Sequence, residues 1–133
     1  PTIKLLKFPS WDCLPYDLSS PDAKITGERI NGILNLSKKS ICPRLVVTNI
    51  NSLIQKNVNA KYLPNKIFQL IVNSSIDDDF SINLINAGYR KSETVIDVGE
   101  YAIRGSIIDV FSSNYQYPIR IDMFGDIIES IKL

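Results

Sequence analysis

The sequence predicts an α/β chain in which a partial parallel βαβ layer is followed by a small antiparallel α+β module. Three observations carry that expectation. Strand-like and helix-like runs alternate over the first half; from residue 64 onward short β-runs separated by Gly, Ser and Asn dominate; and the last segment holds a two-residue Gly125-Asp126 turn between apolar runs, the pattern of a tight antiparallel hairpin. The expected boundary places residues 1–63 in the first part and residues 64–133 in the second.

The elements follow in order. Thr2 to Phe8 reads as a short β-run stopped by Pro9, and Ser10 to Pro21 as an irregular crossing loop rich in turn formers. Ser20 is the expected N-cap of the next helix, with Pro21 at its first position and Asp22 in its first turn. Ile25, Ile30, Ile33 and Leu34 lie near helical spacing and mark its core face. Leu45-Val46-Val47 has the continuous apolar character of a buried parallel strand, which with the first strand and helix predicts a right-handed βαβ unit. Asn49 or Asn51 is placed to cap a short helix carrying Leu53 and Ile54.

In the second part, Phe68 to Val72 is expected as a strand. Asp77-Asp78-Asp79 opens a helix through Ile82, Leu84 and Ile85, and Gly88 ends it in the left-handed region. Thr94 to Val98, Tyr101 to Phe111 and Pro118 to Leu133 complete the expected strands, with Gly105 marking a bulge or a close backbone approach.

Composition restricts function. With 15 basic and 14 acidic residues the net charge is +1, which supplies no electrostatic footprint for nucleic acid or an anionic membrane. Histidine is absent, so the commonest general base and the usual Ser or Cys triads are missing. Cys13 and Cys42 are too few for a zinc site or a disulfide framework and read as free thiols in a reducing cytoplasm. The acidic run fits no calcium loop, and Gly27 and Gly32 form no phosphate-binding fingerprint. The opening Pro1-Thr2-Ile3, without Met, reads as the start of a fragment. The expectation is a cytoplasmic protein-docking fragment with no catalytic residues, no cofactor and no metal.

The hairpin indicates where docking would occur. A plain two-residue turn pairs Phe124 with Ile127, Asp122 with Glu129 and Arg120 with Ile131, so Arg120, Asp122, Phe124, Ile127 and Glu129 share the outer face. Ile119, Ile121, Met123, Ile128, Ser130 and Lys132 fall on the other, core-facing side. An outward Phe and Ile among charges, with an arginine nearby, is the composition of an interface hot spot. The alternative is that this face packs under another part of the fragment, with Arg120 paired to Glu129 or Asp122. Arg104 offers a planar fork suited to a partner carboxylate, and a local salt bridge to Glu100 or Asp109 accounts for it equally well.

Five blocks carry a resemblance: Phe8 to Asp17 (FPSWDCLPYD), Leu45 to Leu53 (LVVTNINSL), Ala87 to Arg90 (AGYR), Gly99 to Phe111 (GEYAIRGSIIDVF) and Tyr117 to Lys132 (YPIRIDMFGDIIESIK). Together they resemble the UvrB-homologous N-terminal region of the bacterial transcription-repair coupling factors, the Mfd family. GEYAIRG and PIRIDMFGD are the most specific. The resemblance implies that residues 1–63 are part of a degenerate helicase-like domain 1a and that residues 64–133 are domain 2, which binds the excision-repair protein UvrA. It places the UvrA-contacting side chains at Arg104, Arg120 and Phe124, two of which the hairpin register had already put on the outer face. The resemblance further implies a parent protein in which an ATP-dependent translocase removes RNA polymerase stalled at a lesion, with polymerase, DNA and ATP bound by domains outside this chain. Ser112 departs from the usual proline after D-x-F, and Met123 stands where an aromatic is common. UvrB itself is the nearest alternative, but its DNA-gripping hairpin is rich in tyrosine. The loop from Trp11 to Asp22 holds only Tyr16. A degenerate helicase domain that binds DNA or nucleotide is the other class of reading.

Overall fold

The computed structural model describes residues 3–14, 16–63 and 67–133. The expected strand start at Thr2 and the boundary at residue 64 lie outside the described residues. The chain divides into two compact units, residues 1–67 and 68–133. One holds a two-stranded parallel sheet and the other a five-stranded, mostly antiparallel sheet, the α/β combination expected. Among the described residues no helix is long and apolar enough to cross a membrane.

The first unit runs β1 (Lys4–Phe8), α1 (Ala23–Ser37), β2 (Arg44–Thr48), α2 (Ile50–Ile54) and a 3-10 turn at Ala60–Tyr62. β1 and β2 are parallel, with Leu6 opposite Val46, and α1 supplies the crossover that a parallel pair requires. The N-cap of α1 is Asp22, two residues later than Ser20, with its carboxylate accepting from the Lys24 and Ile25 amides. A carboxylate serves the positive helix end better than a neutral hydroxyl, so the later cap wins. Asn49 caps α2 through the Ser52 amide.

Leu6 and Phe8 are the buried residues of β1. Gly32 lets α1 approach them closely, because a Cβ there would lie 2.8 Å from the Phe8 ring. Beside it Arg29, 1% exposed, is enclosed by two aromatic faces, its guanidinium 4.6 Å from the Phe8 ring centroid and 4.3 Å from that of Trp11. It donates to the Pro9 carbonyl, Ser52 Oγ and Asn57 Oδ1. Leu45, Val46 and Val47 are exposed, against the expectation of a buried strand. An apolar run becomes a buried parallel strand only when layers cover both faces, and the described residues of this unit supply too little cover.

The second unit runs α3 (Phe80–Asn86), β3 (Arg90–Lys91), β4 (Glu100–Arg104), β5 (Ile107–Val110), β6 (Ile119–Phe124) and β7 (Ile127–Lys132). The strands lie in sequence order, with β3 and β4 parallel and the rest antiparallel. Gly88, at φ +95°, ends α3 as expected.

Three expected strands change. Phe68 to Val72 is irregular. The chain turns at Asn73, in the left-handed region at φ +68°, and only then bonds to the last hairpin, from the Asn73 amide to the Ile128 carbonyl of β7 and from the Ile76 amide to the Asp126 carbonyl in the turn before it. Thr94 to Val98 is a loop, because the Glu100 carboxylate draws the Ile96 and Asp97 amides into a turn. Tyr101 to Phe111 is two strands, and Gly105 forms no bulge. It stands at φ +59° in the turn between β4 and β5, with open space where a Cβ would sit, so the backbone angle and not crowding selects glycine.

The bulge falls in β7 instead. Phe124 faces Ile127 as expected, but Asp122 faces Ser130, Ile121 faces Ile131 and Arg120 faces Lys132. Glu129 is the extra residue. The expected pairing of Asp122 with Glu129 would have set like charges opposite each other and turned Ile131 to solvent, and one inserted residue removes both faults. Glu129 therefore leaves the outer-face register, and Ser130 and Lys132 join it.

Inward residues form the core of the second unit. Tyr101, Ile108, Val110, Ile121 and Ile128 pack with Phe80 and Leu84 of α3, and Ile131 packs against them. Ile128→Ala in the full chain should lower the unfolding free energy of this unit by about 2–5 kcal/mol. The same truncation at Phe124 should change it by less than about 0.5 kcal/mol, since that ring touches little of the core. Denaturant titration with an unchanged slope checks both values.

Candidate functional site

Residues of alternate parity lie on the other face of the five-stranded sheet. In register across four strands this face presents Arg104, Asp109, Arg120, Asp122, Phe124, Ile127, Ser130 and Lys132. All three residues singled out from the sequence, Arg104, Arg120 and Phe124, fall on it.

Its centre is one carboxylate. Asp109 lies directly across from Arg120 on the neighbouring strand. Arg120 meets it side-on, Nε donating to Oδ1 at 2.7 Å and Nη2 to Oδ2 at 2.9 Å, while Arg104 Nη2 donates to the same Oδ2 at 2.5 Å. The Asp109 side chain is 9% exposed, whereas those of Arg104 and Arg120 are 54% and 49% exposed. The hydrogen bonds from Arg120, then that from Arg104, hold the Asp109 carboxyl below the usual aspartate range against the opposing effect of its burial. The same contact raises Arg120.

A second ion row lies beside it. Asp122 accepts from Lys132 Nζ at 2.5 Å and from Ser130 Oγ at 2.6 Å, and these contacts lower its pKa. At the hairpin tip Phe124 is 77% exposed and Ile127, directly across from it, is half-exposed. Charge and apolar surface thus occupy adjoining parts of one face.

Sequence reasoning entertained Asp109 only as a pairing choice for Arg104 and missed that it binds both arginines. The signal was present in Ile107-Ile108-Asp109-Val110: an acid between two inward aliphatics must point outward, into the arginines' face. Arg120, expected to pair with Glu129 or Asp122 if it paired locally, takes Asp109 instead because the bulge withdraws Glu129 and Lys132 neutralises Asp122. Elsewhere, Asp77, Asp78, Asp79 and Asp126 line a shallow depression, and the Asp79 side chain makes no capping hydrogen bond to α3.

A sheet with one apolar core face and one ordered face of arginines and exposed aromatic surface defines an interaction module. Residues 68–133 match the family described as the UvrB interaction domain. The chain is 35% identical to the transcription-repair-coupling factor of Myxococcus xanthus over 130 residues, covering 97% of this chain and 11% of that protein. It is 34% identical to that of Haemophilus influenzae over 128 residues (94% and 11%), and 28% identical to that of Escherichia coli over 130 residues (97% and 11%). The chain spans about a tenth of the length of these curated relatives. These relatives are transcription-repair-coupling factors, the family that the sequence blocks resemble.

The lowered carboxyl of Asp109 makes stability depend on acid. A group whose pKa is depressed by folding stabilises the folded state above its unfolded value, about 3.9, and that contribution is lost as the pH falls through the folded value. At pH 7 Asp109→Asn should therefore be less stable than the parent chain by about 1–2 kcal/mol, allowing for solvent screening of the half-exposed arginines. Below about pH 4 the two stability curves should converge in unfolding titrations across pH 2.5–7.

Proposed function

We propose that this chain docks UvrA through Arg104, Arg120 and Phe124, and that its parent protein thereby recruits UvrA to RNA polymerase stalled at DNA damage. The docking face imitates the UvrA-binding surface of UvrB, a reading supported by the match of residues 68–133 to the UvrB interaction domain. That the relatives are transcription-repair-coupling factors supports the coupling role. On this reading the chain performs no catalysis and needs no cofactor. Contacts with RNA polymerase, DNA and ATP fall to other parts of the parent, and residues 1–63 contribute part of a degenerate helicase-like domain 1a.

One observation carries the proposal. Phe124 stands exposed in the same register as two half-solvated arginines. Aromatic and arginine side chains dominate binding energy at interfaces because they bury large area and make directional charged hydrogen bonds. A solvent-facing phenylalanine on a rigid strand has no role in the core it turns away from.

Arg120→Ala and Phe124→Ala should each weaken UvrA binding by about 2 kcal/mol or more, some thirtyfold in affinity. Titration calorimetry of the variants against UvrA measures this. Losses below about 0.5 kcal/mol for both would remove the site from consideration.

A further inference from the structure

Two arginines that must both meet a partner converge on a single carboxylate that is itself nearly out of reach. We propose that Asp109 is a positioning residue of the docking face: it holds Arg104 and Arg120 in one fixed mutual arrangement and leaves their remaining N–H groups for acceptor oxygens of the partner. This inference rests on the docking function proposed above.

The donor inventory supports it. A guanidinium carries five N–H bonds. Asp109 takes Nε and Nη2 of Arg120 but only Nη2 of Arg104, leaving Nη1 of the first and Nε and Nη1 of the second with no hydrogen-bond acceptor among the described residues. The residue carrying the carboxylate is only 6% exposed, too recessed to serve as the main contact for a partner lying on the sheet. It therefore acts through the arginines. The three side chains come from β4, β5 and β6, so the arrangement is fixed by the sheet register and not by a loop.

Elementary physics separates this role from simple charge. The cluster sums to one positive charge, two guanidinium groups less one carboxylate. Were the arginines acting only as loose charges toward an acidic partner, removing Asp109 would raise the cluster to two and tighten binding. Positioning predicts the opposite sign, because each freed arginine must then be immobilised during docking.

The experiment compares the full chain with Asp109→Asn, with the pair Arg104→Ala/Arg120→Ala, and with the triple variant, titrating each against UvrA. Asp109→Asn should bind about tenfold more weakly. The triple variant should bind no worse than the arginine pair, since without arginines there is nothing left to position. In nitrogen-15 spectra the Arg120 Nε–H resonance, protected in the parent chain, should lose that protection in Asp109→Asn. Unchanged or tighter binding by Asp109→Asn overturns the positioning role. So does a further loss in the triple variant, which would show that the aspartate acts through the fold. Should the arginine pair bind UvrA like the parent chain, the docking function itself fails, and that outcome is read before the aspartate is considered.

Discussion

A sheet covered by a helix on only one side imposes a parity rule on every strand it contains. In the second unit α3 and the inward aliphatics form the core, so alternate residues of β4 to β7, the bulge at Glu129 apart, are turned to the other face by position alone. A slip by one residue would exchange the two faces and turn Ile121 and Ile128, each at most 1% exposed, toward water. The apolar face thereby holds the polar face in register. Arg104, Asp109 and Arg120 meet because Ile103, Ile108 and Ile121 occupy the intervening inward positions. The bulge at Glu129 serves the same rule, keeping Ile131 inside while bringing Lys132 to Asp122.

The two units use arginine in contrasting ways, and burial makes the difference. Arg29 has no carboxylate partner among the described residues; two rings and neutral oxygens enclose it, and burial lowers its pKa. Its Nη donors are spent on the Pro9, Ser52 and Asn57 segments, tying loops to the helix, while its buried Nε has no hydrogen-bond acceptor among the described residues. Arg104 and Arg120 share an ion-pair partner yet stay half in water, with donors unspent. The first arrangement holds a structure together. The second stabilises by about 1–2 kcal/mol through the recessed Asp109, while solvent screens the outer parts of the two arginines.

Much of this was legible in the chain because it follows from short-range chemistry. The Gly125-Asp126 turn, the left-handed Gly88 and the Asn49 cap each need a particular residue at a particular backbone angle or hydrogen bond, and the order of these signals sets the elements. The outward placement of Arg120 and Phe124 followed from alternation beyond that turn. What escaped required knowledge of distant partners. Phe68 to Val72 has strand composition, but its ladder partner is offered only from Asn73 onward. Glu129 looks like an ordinary strand residue until the burial of Ile131 and the charge on Asp122 are weighed together. Asp109 was visible as an acid of outward parity, but its two partners sit five residues before it and eleven after it, joined only once three strands align. Leu45 to Val47 misled because apolarity records what a strand tolerates, not what covers it.

The strand-borne setting of Phe124 has a kinetic consequence. Its backbone is held by cross-strand pairing with Ile127, and the ring has only two side-chain torsions to settle. On the docking function proposed above, a partner meets a shape already formed, with no slow rearrangement to delay capture. With net cluster charge reduced to one by Asp109, long-range attraction accelerates encounter only modestly. On that proposal, changes on this face alter the lifetime of the complex more than the speed of capture.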